Sequence, residues 1–389
     1  MALTTATRSE TTLRILGFGT YDAAKHPRAG TILEGLCIQG DEVVEANAPL
    51  GFTTAERVAM LAKPWSAYRL VARIWMRWRI ILRQARRARR SVAFDAVIVG
   101  YMGHFDVVLA RARFPRDTVV LDLLVFAADT ARDRGVRSGL RLQLLEWLDA
   151  LAIRCADVVV VDTVEHAAML APGQRRKAEV VAVGASDAWF AAGAGRRQAN
   201  PAAPLRVVFF GLFTPLHGAP VIGAALGLLA DCGEIEATMI GSGQEWDVAY
   251  RAAAGNDRVT WLDWVEPALL PTLVADHDVC ICIFGTTPKA WRVVPNKVYQ
   301  GAAAGCAVIT SDTPPQRRAL GEAAVFVPPG DAASLAEVLR ELSKDRDRVA
   351  ALGAAARCRG MAEFTAGAVV RPLRARLAAG ARTSEVDLG

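Results

Sequence analysis

No C-x-x-C pair occurs among the seven cysteines, and their number is odd. The spacing therefore fits neither a zinc ribbon nor a paired disulfide framework, and the chain reads as reduced and cytoplasmic. Cys280 and Cys282 alternate along an apolar run, as on one face of a strand. The first dozen residues lack an apolar h-region, so no signal peptide is expected. Charged residues make up only 22% against 52% hydrophobic, a balance that excludes a disordered chain. Internal repeats are absent. One long uncharged run does occur, Val207–Ala230, of a length to cross a bilayer. Pro215, Pro220, four glycines and His217 interrupt it. A strand over Leu205–Phe210, a loop and a helix over Ala219–Ala230 fit it better than a span.

What is present is length and alternation. A chain of 389 residues is long enough for two domains, each with a core. Short apolar runs read as strands at Leu13–Gly17, Glu42–Glu45, Ala96–Gly100, Thr118–Leu123, Asp157–Val161 and Val180–Val183. In the second half they fall at Arg206–Phe210, Ala237–Ile240, Val259–Leu262, Val279–Phe284, Ala307–Thr310 and Ala324–Val327. Helical stretches separate most of them, which predicts an α/β class with parallel sheets covered on both faces. Ala191–Pro204, rich in Ala, Gly and Pro, reads as a linker. Two Rossmann-like, doubly wound domains facing across a cleft are expected.

The segment Ala290–Asp312, AWRVVPNKVYQGAAAGCAVITSD, carries the most chemistry. Pro-Asn-Lys opens a helix of small residues, and Gly-Cys leads into an apolar strand. The helix N-terminus then lies beside the carboxyl ends of strands, where free N–H groups and the helix dipole favour an anion. Lys297 adds a mobile positive charge. Gln300, one turn on, both donates and accepts hydrogen bonds. That set suits a diphosphate flanked by a ribose, hence a nucleotide-linked donor.

From these residues onward the chain resembles the GT-B glycosyltransferases, in particular the retaining family 4 (group 1) type. The resemblance runs over Leu205–Phe364, through FFGLFTPLHG, MIGSG, VTWLDWVEPALLPTLVADHDVCICIF, VVPNKVYQGAAAGCAVITSDTP and AVFVPPGDAASLAEVL. It is looser in the first half, through GYMGHFD, DTVEHAAML and VVAVGASDAWF. It implies an acceptor domain over residues 1–195, a nucleotide-sugar donor domain over 205–366, and a C-terminal helix over 367–389 that crosses back and ends in a loose tail from Thr383. It implies transfer of a hexosyl group from a UDP- or GDP-linked sugar to a hydroxyl acceptor, a glycolipid, a polyprenyl-linked sugar or a polysaccharide, with retention. Neither cofactor nor metal is expected, since such sites stabilise the leaving diphosphate with protein cations and helix dipoles.

The chain departs from the family at the donor site. The family's Gly-Arg…Lys-Gly cations fall at Leu212 and His217. Its two glutamates, eight positions apart, fall at Arg292 and Gln300. Arg292, Lys297 and Lys289 are the positive charges left to supply the site. Lys297 reads as a phosphate ligand or as a solvated lysine, the ligand reading being favoured because a lysine at a helix N-terminus is otherwise unfavourable. Asn296 reads as a helix cap or a ligand contact. Gly211, Thr214 and Gly218 form either the phosphate-facing turn or an ordinary βα turn, and His217 donates to phosphate or lies at the surface. Gly241, in Gly-Ser-Gly, resembles a turn near the nucleotide. Val265 is placed to face the base through its backbone. Asp276-His277-Asp278 mimics a metal-binding D-x-D but precedes a buried strand, so it reads as a loop coincidence.

The first half offers Gly19 as an acceptor-side residue, in a Gly17-Phe-Gly19 turn expected to line the cleft, since a dinucleotide fingerprint there is spoiled by Asp22. His104 follows the Ala96–Gly100 strand, where α/β folds place ligands. Asp122 sits in the apolar run VVLDLLVF and needs a partner or a function. With Asp129 these are the catalytic candidates. Thr130 and Arg134, with Asp129, read as acceptor-binding groups or as helix-capping and ion-pairing residues. Trp65–Arg90 is an amphipathic helix in which Leu70, Val71, Ile74, Trp75, Trp78, Ile81 and Leu82 form an apolar stripe. Arg69, Arg73, Arg77, Arg83 and Arg87 sit largely off the stripe, and Arg86, Arg89 and Arg90 extend the charge. It fits either packing on the first domain or an anionic membrane at the inner face, with a lipid- or polyprenyl-linked acceptor. No nucleic-acid-binding fold is recognisable. Two other functions fit the same architecture. One is a nucleotide-sugar 2-epimerase-like isomerase, which needs acid–base carboxylates. The other is a non-catalytic scaffold, motivated by the missing Arg, Lys and Glu.

Overall fold

The computed structural model describes residues 12–23, 28–51, 64–89, 93–136, 138–196 and 203–386. Twelve strands alternate with helices as the apolar runs predict. They are β1 Arg14–Gly19, β2 Glu42–Asn47, β3 Ala96–Val99, β4 Thr118–Asp122, β5 Val158–Val161, β6 Ala178–Val180, β7 Leu205–Phe210, β8 Ile235–Ile240, β9 Val259–Leu262, β10 Val279–Ile281, β11 Ala307–Ser311 and β12 Ala324–Val327. They form two six-stranded sheets, in the orders β2-β1-β3-β4-β5-β6 and β12-β11-β10-β7-β8-β9. Every pairing from β1 to β5, and every pairing of the second sheet, is parallel. The inner strands β1, β3, β4, β5, β7, β10 and β11 are buried on both faces, which is why they read as continuous apolar runs, whereas the edge strands β2, β6, β9 and β12 are partly exposed. Two boundaries move. The sixth strand is Ala178–Val180, short of the expected Val180–Val183, because Val181 already bonds Val161 from an irregular segment. The tenth ends at Ile281, and Cys282–Phe284 continue it as a buried segment in which Cys282 N still bonds Ile309 O and Ile283 O still accepts from Ser311 N.

The chain forms two compact units. One takes in the described residues of Met1–Leu124, Ala150–Val160 and Val370–Gly389; the other spans Val125–Asp149 and Val161–Val369. In the first, Phe18 and Phe114 meet edge to face at 5.7 Å within the β1–β4 core. The Pro64–Arg89 helix lies on β1 and β2. Trp78 Nε1 donates to Asp106 at 2.7 Å, and the other Asp106 oxygen accepts from the Thr20 amide and hydroxyl. The C-terminal helix, Arg371–Val386, is tied here by Arg374 Nε to Asp41 at 3.0 Å. Thr383 therefore falls within a helix rather than opening a loose tail; residues 387–389 lie outside those described. So do Arg90 and residues 197–202 of the expected linker.

In the second unit the core lies between β7–β12 and the helices Ala219–Gly227 and Ala332–Lys344, and includes Val207, Phe209, Met239, Ile281, Ile309, Leu335 and Leu339. The uncharged run Val207–Ala230 is the expected strand, loop and helix, the helix ending at Gly227. Among the described residues no helix is long and apolar enough to cross a membrane. The seven cysteines are free thiols.

Candidate functional site

The second unit gathers most of the residues singled out in the sequence at the carboxyl ends of its strands. Gly211 follows β7, Gly241 follows β8, and Val265 lies in the loop after β9. The helix Asn296–Ala303 begins before β11. Strand carboxyl ends are where open α/β sheets bind ligands.

The loops there are pressed together, and glycine is what permits it. Gly241, at φ +122°, stands where a Cβ would run into the Gly211 carbonyl oxygen. Gly243 would place a Cβ 2.6 Å from the Phe213 carbonyl oxygen. Ladder bonds continue past the strands, from Gly211 N to Ile240 O and from Phe213 N to Ser242 O. The Gly-Ser-Gly turn is therefore a packing device that fixes the backbone of Gly211. Gly218 adopts the left-handed conformation at φ +62°, opening the next helix against the Phe284–Gly285 backbone.

Beneath Gly211 lies Lys297. The helix that carries it packs tightly, since a Cβ at Gly301 would meet Cys280 Sγ at 2.7 Å. Val298, Tyr299 and Ala302 fill the core, and Tyr299 sits edge-on to Phe364 at 4.8 Å. Lys297 is 4% exposed. Its Nζ lies 3.8 Å from the Phe209 ring centroid and has no hydrogen-bond partner. A Cβ on Gly211 would stand 3.2 Å from that Nζ. Burial lowers its pKa to about 7, against a small opposing effect from Cys282 and Cys280. A buried ammonium without an acceptor is costly, and an anion above Gly211 would relieve that cost.

His217 is half-buried, with Nδ1 3.1 Å from Thr214 Oγ1. Burial, and then the Lys297 charge, pushes its pKa well below 6.5. It is thus a neutral imidazole at neutral pH, not a replacement for the cation expected at its position. Asn296 is the first helical residue, and the N-cap position falls to Pro295 with no side-chain cap. Asn296 is exposed and does not cap; Gln300 is half-buried one turn on.

Arg292 is not left open to an anion. Its Nη2 donates to Asp129 Oδ1 at 2.5 Å, and its backbone carbonyl accepts from Thr163 Oγ1 at 2.6 Å. The short helix Ala127–Asp133 presents Asp129, and its own N-terminus is tied by buried Asp149, which accepts from the amides of Ala127 and Ala128. The same helix receives Lys289 Nζ on Thr130 Oγ1 at 2.9 Å and Thr287 Oγ1 on Asp133 at 2.7 Å. Burial lowers the Lys289 pKa, against the pull of Asp133 and Asp129. So Asp129, Thr130 and Arg292 do come together, as a clamp between two segments. Arg134 lies past the helix end, exposed.

In the D-x-D look-alike, His277 bonds the Leu273 carbonyl and Thr238 hydroxyl, and Asp278 accepts from the Arg206 amide and Arg346. Both side chains are committed to the scaffold. In the first unit, Asp122 accepts from Arg28 Nε at 2.7 Å, both side chains almost fully buried. The carboxylate in the apolar run thus has a partner. His104 is buried in the same unit, and Gly19 closes β1 at φ +142° with its carbonyl accepting from Ala48 N. Sequence reading missed Phe209, the platform under Lys297, which is indistinguishable there from any strand phenylalanine. It also missed the Thr287–Asp133 bond, for which no local signal exists.

Among solved structures, sucrose-phosphate synthase from Thermosynechococcus elongatus is similar to this chain, with a TM-score of 0.65 at 14% identity, covering 97% of this chain and 99% of that one. HepE from Anabaena, solved with UDP-glucose, gives 0.61 at 15% over 97% and 99%. A glycosyltransferase from Rickettsia africae gives 0.62 at 13% over 95% and 98%. These likenesses show the fold, a GT-B pair of Rossmann-like α/β domains. No protein of curated function matches the chain. Residues 204–345, a segment that holds Gly211, Lys297 and Arg292, match the family Glycosyl transferases group 1.

Proposed function

We propose that the protein is a glycosyltransferase that moves a sugar from a UDP- or GDP-linked donor to a hydroxyl acceptor with retention at the anomeric carbon. The carrying observation is Lys297, a buried, unpartnered amine at a helix N-terminus directly under Gly211. The group 1 match over residues 204–345 supports the reading, as does the UDP-glucose bound by HepE, a protein of like fold. In this reading the diphosphate lies over Gly211 and the Asn296–Ala303 N-terminus, with Thr214 and Gly218 bounding the turn. Gln300 meets the ribose and Val265 the base. The C1–O bond to the diphosphate breaks as the acceptor oxygen bonds C1. The acceptor's proton passes to the departing diphosphate oxygen, and Lys297 and the helix dipole stabilise the charge that gathers on that diphosphate, without a metal. His217 contributes at most a neutral hydrogen bond. Arg292 acts by holding Lys289 and the helix start in place through Asp129. The acceptor is lipid- or polyprenyl-linked and met at the inner face of a membrane.

The test is thermal shift and calorimetry with UDP, GDP, ADP, TDP and CDP, on wild type and Lys297→Ala. Selective stabilisation by one nucleotide, lost in the variant, supports the donor site and names the donor class. No response to any nucleotide overturns it and favours a non-catalytic scaffold.

A further inference from the structure

The outer face of the Pro64–Arg89 helix, in the first unit, plays no part in the donor site. The described side chains of this helix divide cleanly. Ile81 and Ala85 are buried, and Ile74, Trp78 and Leu82 are half-buried. Val71 is 65% exposed, Trp75 57% and Met76 56%, with Ile80 at 38%. Arg79, Arg83, Arg86 and Arg87 are exposed as well. With Ala72, also exposed, at about 100° per residue all nine exposed positions among the described side chains fall on one half of the helix surface. Along that half, apolar side chains occupy the earlier turns and arginines the later ones. The apolar stripe read from the sequence is therefore split, with Val71 and Trp75 turned outward rather than packed. No acidic residue occurs anywhere from Pro64 to Arg89. Arg79 lies over the Trp75 ring at 4.8 Å.

The end of the helix adds an independent feature. Arg89, Arg113 and Arg116, with Ala112 and Pro115, line an open pocket of about 360 Å³. Arg89 and Arg113 lie 5.4 and 5.6 Å from the Phe114 ring centroid, which holds both guanidinium groups in place. One carboxylate, Asp117, reaches Arg89 at 3.3 Å, so three cations face one anion. A guanidinium fork is the side chain best matched to phosphate oxygens.

We propose that this face docks on an anionic lipid bilayer, with Val71, Trp75, Met76 and Ile80 entering the headgroup boundary and the Arg89–Arg113–Arg116 pocket seating one phosphate-bearing headgroup. The proposal sharpens the membrane part of the function proposed above and is independent of its donor part. A second copy of the chain is a poor occupant, since a two-fold contact would set the same arginines against themselves. A nucleic acid matches the charge but leaves the exposed Trp75–Met76 turn without a partner. A bilayer satisfies both ends, since apolar groups enter the interface while arginines gather anionic lipid.

The experiment sediments the full chain with phosphatidylcholine vesicles and with vesicles containing about one-third phosphatidylglycerol. Binding at least about tenfold stronger to the anionic vesicles, weakened by salt, is expected. Trp75→Ala/Met76→Ala should lower partition about tenfold, and Arg113→Glu/Arg116→Glu should remove the preference for phosphatidylglycerol. Thermal melts of these surface variants, and their response to UDP, should match wild type, so that loss of vesicle binding is separable from misfolding and from failure of the donor reading. Equal binding to both vesicles, no binding, or variants that bind like wild type overturn the proposal. Tighter binding to an RNA oligomer than to anionic vesicles reassigns the face to nucleic acid and overturns it too.

Discussion

Arg292 and Asp129, 163 positions apart in the chain, meet at 2.5 Å, and the carboxylate is almost fully buried. The pair joins the loop before the Asn296–Ala303 helix to the short helix Ala127–Asp133. Two groups that sequence reading assigned to substrate are thus spent on each other. Removing one partner leaves the other charge buried and uncompensated, although Arg292 retains partial contact with water. Asp129→Asn is expected to cost about 1–3 kcal/mol, seen as a lower urea midpoint, and Arg292→Lys to cost less, since a cation remains but the fork is lost. A variant as stable as wild type would show that the clamp does not hold the loop.

Lys297 makes stability depend on pH in a defined direction. Its pKa falls from 10.5 to about 7 on folding, so between those values the folded state binds fewer protons than the unfolded one. The penalty is fully present below pH 7 and is relieved as pH rises toward 10.5. Wild type should gain about 2 kcal/mol relative to Lys297→Met between pH 7 and pH 9, and near pH 6 the variant should be the more stable. Parallel stability–pH curves for the two proteins would contradict the burial of a charged lysine.

Gly241 tests the loop packing. An alanine there is strained by its positive φ and runs into the Gly211 carbonyl. Gly241→Ala should cost about 2–4 kcal/mol and weaken UDP binding with it, because Gly211 must move. Alanine at Gly255, also at positive φ but facing open space, should destabilise less and leave UDP binding intact. Similar UDP affinities for both variants would detach the Gly241 turn from the site.

His217 is expected to stay neutral across the working range. Nucleotide binding between pH 6 and pH 7.5 should therefore show no histidine-dependent step, and His217→Gln should retain most of the affinity. A titration near pH 6.5 that disappears in His217→Gln would show instead that the imidazole gains a proton.

The fold was legible because the inner parallel strands, buried on both faces, write themselves as apolar runs, and all twelve strands appear near their expected places. The helix start at Asn296–Lys297 was legible for a similar reason, from a Pro and a following run of small residues. The pairings were not. VVLDLLVF shows that Asp122 needs a partner but cannot name Arg28, 94 positions earlier. Arg292 reads as a spare cation until Asp129 is placed beside it. Gly-Ser-Gly at 241–243 looks like a ligand loop, whereas its glycines admit neighbouring backbone. The helix over Pro64–Arg89 was legible from its period, but its stripe is split, because an edge residue such as Trp75 falls inward or outward according to what lies beside the helix.

In the proposed donor site Lys297 waits for a diphosphate. At pH 8 the free amine is mostly unprotonated, and a diphosphate bound over Gly211 would draw its pKa upward, so binding must take up a proton. Calorimetric titration of UDP at pH 8, in two buffers of different ionisation enthalpy, measures that uptake. Uptake of roughly half to one proton per UDP is expected in wild type and none in Lys297→Met, which should also bind more weakly. UDP binding of equal strength in both proteins with no proton taken up would contradict it.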